Sequence, residues 1–140
     1  MSKKIIFVVV SLAVAIPAFL SSQIIWPPHT GSPIPTTQEA LFLTVLSVFE
    51  ALSLGIGVSF IIFTWKTFNS TKLLPKGLDL LTYASIGWLM VSWWPHDNLH
   101  IHLGETLPEL IYLEYAFHVT AMAAAVVVAF SAYKIFNRQF

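Results

Sequence analysis

Long apolar runs separated by short polar segments divide the chain into four parts. They predict helices at about residues 5–26, 39–66, 78–94 and 107–135. A helix needs about 20 mainly apolar residues to cross the hydrocarbon core, and the first, second and fourth segments meet that length. The third is shorter but ends in Trp93 and Trp94, which suit the membrane–water interface. The pattern predicts an all-α integral membrane four-helix bundle, with residues 1–140 forming a single transmembrane domain.

Composition supports the membrane class and excludes several kinds of chemistry. Hydrophobic residues make up 56% of the chain and charged residues 10%, against roughly 25% charged in a soluble domain. The absence of cysteine excludes disulfides, thiolate metal sites and cysteine nucleophiles. A net charge of zero offers no basic surface for nucleic acid, so the bilayer is the first expected partner.

The basic residues predict an orientation. With four crossings, all seven cations fall on one side: Lys3, Lys4, Lys66, Lys72, Lys76, Lys134 and Arg138. The positive-inside rule makes that side cytoplasmic, so we expect a multi-pass protein of the cytoplasmic membrane with both termini inside. Two loops, 27–38 and 95–108, then face outward and carry four of the five histidines. A cleaved signal peptide is the alternative for the first segment, but its apolar run exceeds the usual ~7–15 residues.

Two acidic residues have a structural explanation. Thr36–Glu39 and Thr106–Glu109 both match the Thr-x-x-Glu capping box, which begins a helix. Three ionisable residues inside apolar helices are not explained in this way: Glu50, Glu114 and His118. Each costs about 2.5–3.5 kcal/mol at membrane depth on insertion scales, so a functional role is the default interpretation.

Depth along the helices suggests which of these residues meet. Glu50 follows Glu39 by eleven residues, and His118 follows Glu109 by nine. At 1.5 Å per residue they lie roughly 16 Å and 13 Å from the outer face. We therefore expect Glu50 and His118 at the same level. Glu114 precedes His118 by four residues and shares its helical face.

The stretch WWPHDNLHIH holds three histidines within seven positions. If residues 96–100 are helical, His96 and His100 point the same way; if 100–102 is extended, His100 and His102 do. Imidazole with carboxylate suits copper, zinc or iron. Of these metals we expect copper first. Haem is a weaker candidate, because it needs opposed axial ligands on two helices and only His118 lies well inside a helix. The predicted ligands or orienting residues are His96, His100, His118, Asp97 and Glu114, with His102 and Glu50 as possible additional ligands or charge partners and His29 as a weaker candidate.

Small residues in the second helix predict close packing. Ser53, Gly55, Gly57 and Ser59 form two overlapping small-xxx-small pairs, which let helices approach closely. Two locations for this contact stay open: within the bundle, or against a partner subunit. The chain also has almost no mass outside the membrane, which is typical of subunits of larger complexes or homo-oligomers.

The pattern WPHDN-x-H followed by EY-x-FHVT resembles a family of small bacterial and archaeal four-helix membrane proteins. The matching residues here are Trp94, Pro95, His96, Asp97, Asn98, His100, Glu114, Tyr115, Phe117, His118, Val119 and Thr120. His102 lies outside the pattern. The resemblance implies the four-helix fold and no particular activity. A weaker similarity, through Asp97, His100 and His118, is to the copper-site subunit of the membrane monooxygenases of methane and ammonia oxidation, although spacing and surroundings differ.

The sequence thus predicts a membrane protein with a His/carboxylate metal site at the outer end of the bundle, acting as a redox enzyme component or a metal-binding subunit. Two alternatives stay open. The first is a metal carrier, although the three methionines lie away from the histidines. The second is a non-catalytic accessory subunit of a larger complex such as a copper membrane monooxygenase, in which the histidines and glutamates form a hydrogen-bond network.

Overall fold

The structure, a computed structural model, describes residues 2–31, 34–103 and 110–137. Within these ranges the chain is all-helical and contains no β-strand. The helices are α1 (Lys3–Ile25), α2 (Thr37–Phe63), α3 (Trp65–Ser70), α4 (Leu78–Val91), α5 (Trp93–Leu103) and α6 (Leu110–Phe136). The first, second and fourth predicted segments correspond to α1, α2 and α6. The third is divided differently from the prediction, as described below.

Side-chain caps fix where the first two helices begin. Ser2 accepts a hydrogen bond from the backbone N–H of Ile5 at the start of α1. At the start of α2, Glu39 N–H donates to Thr36 Oγ1 at 3.4 Å, and Thr36 N–H donates to Glu39 Oε2 at 2.8 Å. The first predicted capping box is therefore confirmed. The second, Thr106–Glu109, lies outside the described residues.

Three helices, α1, α2 and α6, are long and apolar enough to cross a membrane. Their surfaces are reversed relative to those of a soluble protein. Large apolar side chains are exposed along their length, among them Leu20, Phe49 and Val126, at 68%, 67% and 68%. The buried positions are mostly small, such as Ala15 and Ala51. Without a hydrophobic force between helices in lipid, small residues at the contacts permit the close packing that holds helices together.

The two small-residue pairs of α2 pack against two different helices of the same chain. A Cβ on Gly55 would overlap the backbone oxygen of Ser11 in α1, and Ser59 Oγ donates to Phe7 O at 3.3 Å. A Cβ on Gly57 would lie 2.7 Å from that of Met90 in α4, whose carbonyl accepts a 2.8 Å hydrogen bond from Ser53. The small residues thus place α2 between α1 and α4.

The other side of α4 packs on α6. Thr82 and Ser131, both buried, share a 2.6 Å hydrogen bond between these helices. Tyr83 donates to the carbonyl oxygens of Phe60 and Ile61 near the end of α2, at 2.8 and 2.7 Å. These pairings make α1 and α4 antiparallel to α2, and α6 antiparallel to α4.

This arrangement separates two kinds of side chain. Every described lysine lies at one end of the bundle. These lysines are at the start of α1, near the end of α6, or in the segment from the end of α2 through α3 to the start of α4. We refer to this end of the bundle as the lysine end. The histidines lie on α5, in the first half of α6 and in the connection after α1, which is the histidine end.

Candidate metal site

The histidine-rich stretch is a helix, so the predicted outer loop from residue 95 is wrong for residues 95–103. α4 ends at Val91 and α5 begins at Trp93, with Ser92 between them. Pro95 explains the interruption, because its ring lacks an N–H and clashes with the carbonyl four residues earlier, that of Val91. After the break, Pro95 occupies the first turn of α5, where proline is tolerated. The chain then continues as a helix instead of leaving the bundle.

Helical spacing brings His96 and His100 together, as one of the two sequence alternatives predicted. The two Nε2 atoms are 3.3 Å apart. Both face Glu114 of α6, with His96 Nε2 at 3.2 Å from Glu114 Oε1 and His100 Nε2 in direct contact with the same oxygen. His96, His100 and Glu114 thus present three potential ligand atoms within 4.8 Å of one another.

Aromatic packing fixes the ring of His96. The ring is buried and stacks on Phe117 of α6, with the centroids 3.7 Å apart and the planes 15° from parallel. Trp93 meets the same phenylalanine edge-on at 5.1 Å. His96 is therefore held between the two helices by stacking as well as by polar contacts.

Both ring nitrogens of His96 lie next to carboxylate oxygens. Nδ1 lies 2.9 Å from Asp97 Oδ1, a carboxylate oxygen that can only accept when ionised. When Nδ1 carries the proton of a neutral ring, Nε2 has a lone pair that faces another acceptor, Glu114 Oε1. A proton shared between Nε2 and Glu114, or a metal ion between the atoms, makes this arrangement favourable.

The spacing of the donors suits a metal ion. Metal–imidazole bonds are about 2.0–2.1 Å, so two donors on one ion, at right or tetrahedral angles, lie about 2.8–3.4 Å apart. The separations from His96 to Glu114 and to His100, 3.2 and 3.3 Å, fall in this range. The contact between His100 and Glu114 is closer and would widen around an ion. A group of two imidazoles and one carboxylate would leave further coordination positions open.

His118 lies beside the three-residue group on the second oxygen of Glu114. Its Nδ1 is 3.1 Å from Glu114 Oε2 and 2.8 Å from the backbone oxygen of the same residue. Its side chain is 54% exposed. When Nδ1 carries the N–H that donates to the backbone carbonyl, the lone pair of the ring is at Nε2. His118 therefore orients Glu114 in this structure and keeps one nitrogen for a ligand.

Glu50, which was expected at the level of His118, interacts with Asp97, one of the predicted ligands or orienting residues. Glu50 is buried in α2, and its carboxyl group lies near that of Asp97 on α5. A hydrogen bond between two carboxyl groups requires a proton on one of them. Depth alone could not distinguish the two partners, because the rotation of each helix determines which side chains meet. No sequence pattern links Asp97 to α2.

The remaining two histidines lie away from the cluster. His102 Nδ1 is 2.8 Å from the carbonyl oxygen of Pro27, and its ring meets Trp26 edge-on at 6.0 Å. The backbone N–H of His29 donates to Ile101 O at 3.0 Å. These contacts attach the connection after α1 to the end of α5. His102 and His29 thus have structural partners, and neither joins His96, His100 and Glu114.

The chain matches no protein-family model, and no curated protein or solved structure resembles it significantly. Any function assigned to it must therefore come from the side chains described above and from the kind of surface that surrounds them.

Proposed function

We propose that this chain is an integral membrane protein that binds one first-row transition-metal ion through His96, His100 and Glu114. The convergence of these three side chains within 4.8 Å carries the proposal. They come from two helices, and two of them are fixed by other groups, His96 by Phe117 and Glu114 by His118. His118 Nε2 completes the ligand set by a change of rotamer, or water does.

We propose copper as the ion, with zinc and iron as the alternatives that fit the same donors. Imidazole suits all three metals, and Cu²⁺ binds a given nitrogen and oxygen site most tightly among the divalent ions of the series. The chain has no thiolate, which removes the ligand that most favours Cu(I). Asp97 accepts from Nδ1 of His96 and so orients the ring, the usual role of a carboxylate behind a metal-binding imidazole.

The proposed topology has four crossings. The third consists of α4 and α5 together, because α4 has 14 residues and is too short alone. With four crossings both chain termini are at the lysine end, which the positive-inside rule assigns to the cytoplasm. The metal site then lies in the outer half of the bundle, within the protein and not in an outer loop. We propose that this metal site gives the protein a redox role in the membrane.

Metal analysis of gently solubilised protein tests the site. We expect a near-stoichiometric metal in the wild type, its loss in His100→Ala, and its retention in His102→Ala, a matched control two positions along the same helix. The identity of the ion distinguishes copper from zinc and iron. Equal metal content in the two variants, or none in the wild type, would overturn the proposal. For bound copper, reversible loss of the Cu(II) electron paramagnetic resonance signal on reduction tests the redox role.

A second candidate function is that of an accessory subunit in a larger complex. The exposed face of α6 favours it: His118 is 54% exposed and Tyr115 65%, on a helix apolar enough to cross a membrane. Polar side chains at that depth usually face protein or a water-filled cavity, so a partner subunit would cover them. In that case the His/Glu cluster is a hydrogen-bond network. The chain should then co-purify with its partner whether or not His100 is replaced by alanine.

A further inference from the structure

The lysine end carries a large and unbalanced positive charge. Its described lysines are Lys3, Lys4, Lys66, Lys72, Lys76 and Lys134, and among the described residues none of them forms an ion pair with a carboxylate. The one described acidic residue at this end is Asp79. Its Oδ1 accepts hydrogen bonds from the N–H groups of Gly77 and Leu80 at 2.9 and 2.7 Å. At this end six described lysines therefore face a single described carboxylate, which leaves a net positive charge for an anionic partner.

A cavity of about 110 Å³ opens at the same end. Its walls are formed by α3, the turn after α3, the first turn of α4 and the last turn of α6. The lining residues include Phe68, Thr71, Leu74 and Ile135. Lys72 also lines it, in a left-handed backbone conformation with φ of 50°. The cavity is thus mainly apolar, and its wall carries one cation, Lys72, and one carboxylate, Asp79, whose Oδ1 is taken up by two backbone N–H groups. It is smaller than the roughly 300–1,000 Å³ of a site that encloses a drug-sized ligand.

Aromatic residues place this cavity at the level of a membrane interface. Tyr83 is surrounded by Phe60, Trp65 and Phe68, at centroid distances of 4.7, 5.0 and 5.4 Å. Tryptophan and tyrosine are enriched where the hydrocarbon core meets the headgroups. Next to the cavity, Leu80 of α4 is 55% exposed, which offers an apolar surface toward the core.

We propose that this cavity binds one anionic phospholipid of the adjacent leaflet. The phosphate pairs with Lys72 and its neighbour Lys76, the glycerol-ester region enters the cavity, and the acyl chains follow the exposed apolar surface of α4. A ligand with a negative headgroup joined to apolar chains matches both the charge and the lining. A soluble acidic peptide matches only the charge, and inorganic phosphate has no apolar part for the cavity. The site is distinct from the metal cluster and does not depend on it.

Native mass spectrometry of the full chain in detergent, titrated with short-chain phosphatidylglycerol and with phosphatidylcholine of equal chain length, tests the proposal. We expect one phosphatidylglycerol to be retained preferentially. Each lysine near the headgroups raises the affinity for an anionic lipid about fivefold. The double variant Lys72→Gln/Lys76→Gln should therefore weaken phosphatidylglycerol binding about 25-fold. The matched control Lys3→Gln/Lys4→Gln removes the same charge at the same end but away from the cavity, and it should bind nearly as the wild type does.

A third variant, Thr71→Trp, fills the cavity without altering any charge, and it should also lose the bound lipid. Far-ultraviolet circular dichroism establishes that each variant is folded. Equal weakening in both lysine pairs would overturn the proposal, because it would indicate general charge attraction without a site. Undiminished binding in Thr71→Trp would also overturn it. Displacement of the lipid by inorganic phosphate at equal concentration would identify free phosphate as the ligand and contradict the lipid.

Discussion

Nδ1 of His96 lies 2.9 Å from Oδ1 of Asp97, the residue that follows it on α5. This contact turns the other nitrogen of the ring toward His100 and Glu114, where the proposed ion would bind. The carboxylate therefore affects the metal through the histidine, without needing to bind the metal itself.

The first prediction concerns this contact. Asp97→Asn keeps the side-chain size but removes the charge that holds the imidazole N–H. We expect the metal affinity to fall about 10–100-fold, the usual effect of removing such a partner. Competition with a metallochromic chelator measures it. Asp79→Asn, at the lysine end, is the control, and an affinity in Asp97→Asn equal to that of this control would contradict the orienting role.

Glu50 gives a second prediction, through the proximity of its carboxyl group to that of Asp97. Glu50→Gln keeps a group that can donate to Asp97, whereas Glu50→Leu removes it and keeps the volume. We expect Glu50→Leu to lower metal affinity roughly tenfold, because Asp97 loses the group that holds it. Glu50→Gln should stay near the wild type. Similar losses in both variants would mean that the glutamate charge itself matters for the metal.

The third prediction concerns the contact between α1 and α2. Gly55→Leu forces a side chain against the backbone of Ser11. We expect the free energy of unfolding to fall by roughly 1–3 kcal/mol, the usual range for overpacking. Unfolding in mixed micelles with increasing denaturing detergent measures it. Ala123→Leu places the same side chain at an exposed position of α6 and should have little effect. Equal stability of the two variants would show that α1 is not packed on Gly55.

The fourth prediction concerns the polar pair between α4 and α6. Thr82→Val and Ser131→Ala each remove the 2.6 Å hydrogen bond between these helices. Such bonds in membrane proteins contribute about 0.6 kcal/mol on average and up to about 1.7 kcal/mol. A double-mutant cycle should give a coupling energy in that range. In a control cycle, Thr120→Val removes hydrogen bonds that lie within α6 alone. Its combination with Ser131→Ala should give no coupling energy.

The fifth prediction tests the proposed orientation. The chain has no cysteine, so single cysteines can be labelled without background. In intact cells a membrane-impermeant thiol reagent should label Thr30→Cys, near the histidine end. It should label Thr71→Cys, at the lysine end, only after lysis. The opposite result would invert the bundle, and labelling of both from outside would contradict the assignment of the two residues to opposite faces.

The three long helices could be predicted from the sequence because their signals are local. Continuous apolar length identifies α1, α2 and α6, and the Thr36–Glu39 capping box fixes the start of α2. The two glycine–serine pairs of α2 also indicated close packing. Their spacing could not say which helix each pair meets, and the structure assigns them to α1 and α4.

The site itself was only partly predictable. The spacing of His96 and His100 allowed a shared helical face, and Glu114 was singled out by its place in an apolar helix. The loop predicted from residue 95 was wrong for residues 95–103, because α5 begins at Trp93 after a break at Ser92 and holds Pro95 in its first turn. The contact of Asp97 with Glu50 depends on how α5 rotates against α2. That rotation arises from packing over the whole bundle and leaves no local pattern.

The break at Ser92 also has a consequence for how the protein enters the bilayer. All three proposed ligands lie between positions 96 and 114, with His96 and His100 on α5 and Glu114 on α6. In the proposed topology, α6 inserted alone would bring Glu114 into lipid at a cost of about 2.5–3.5 kcal/mol, and α5 would bring the two proposed histidine ligands. Entering as a hairpin, the two helices cover each other's polar groups from the start. The last two helices are thus expected to leave the insertion machinery together, as one unit in biogenesis.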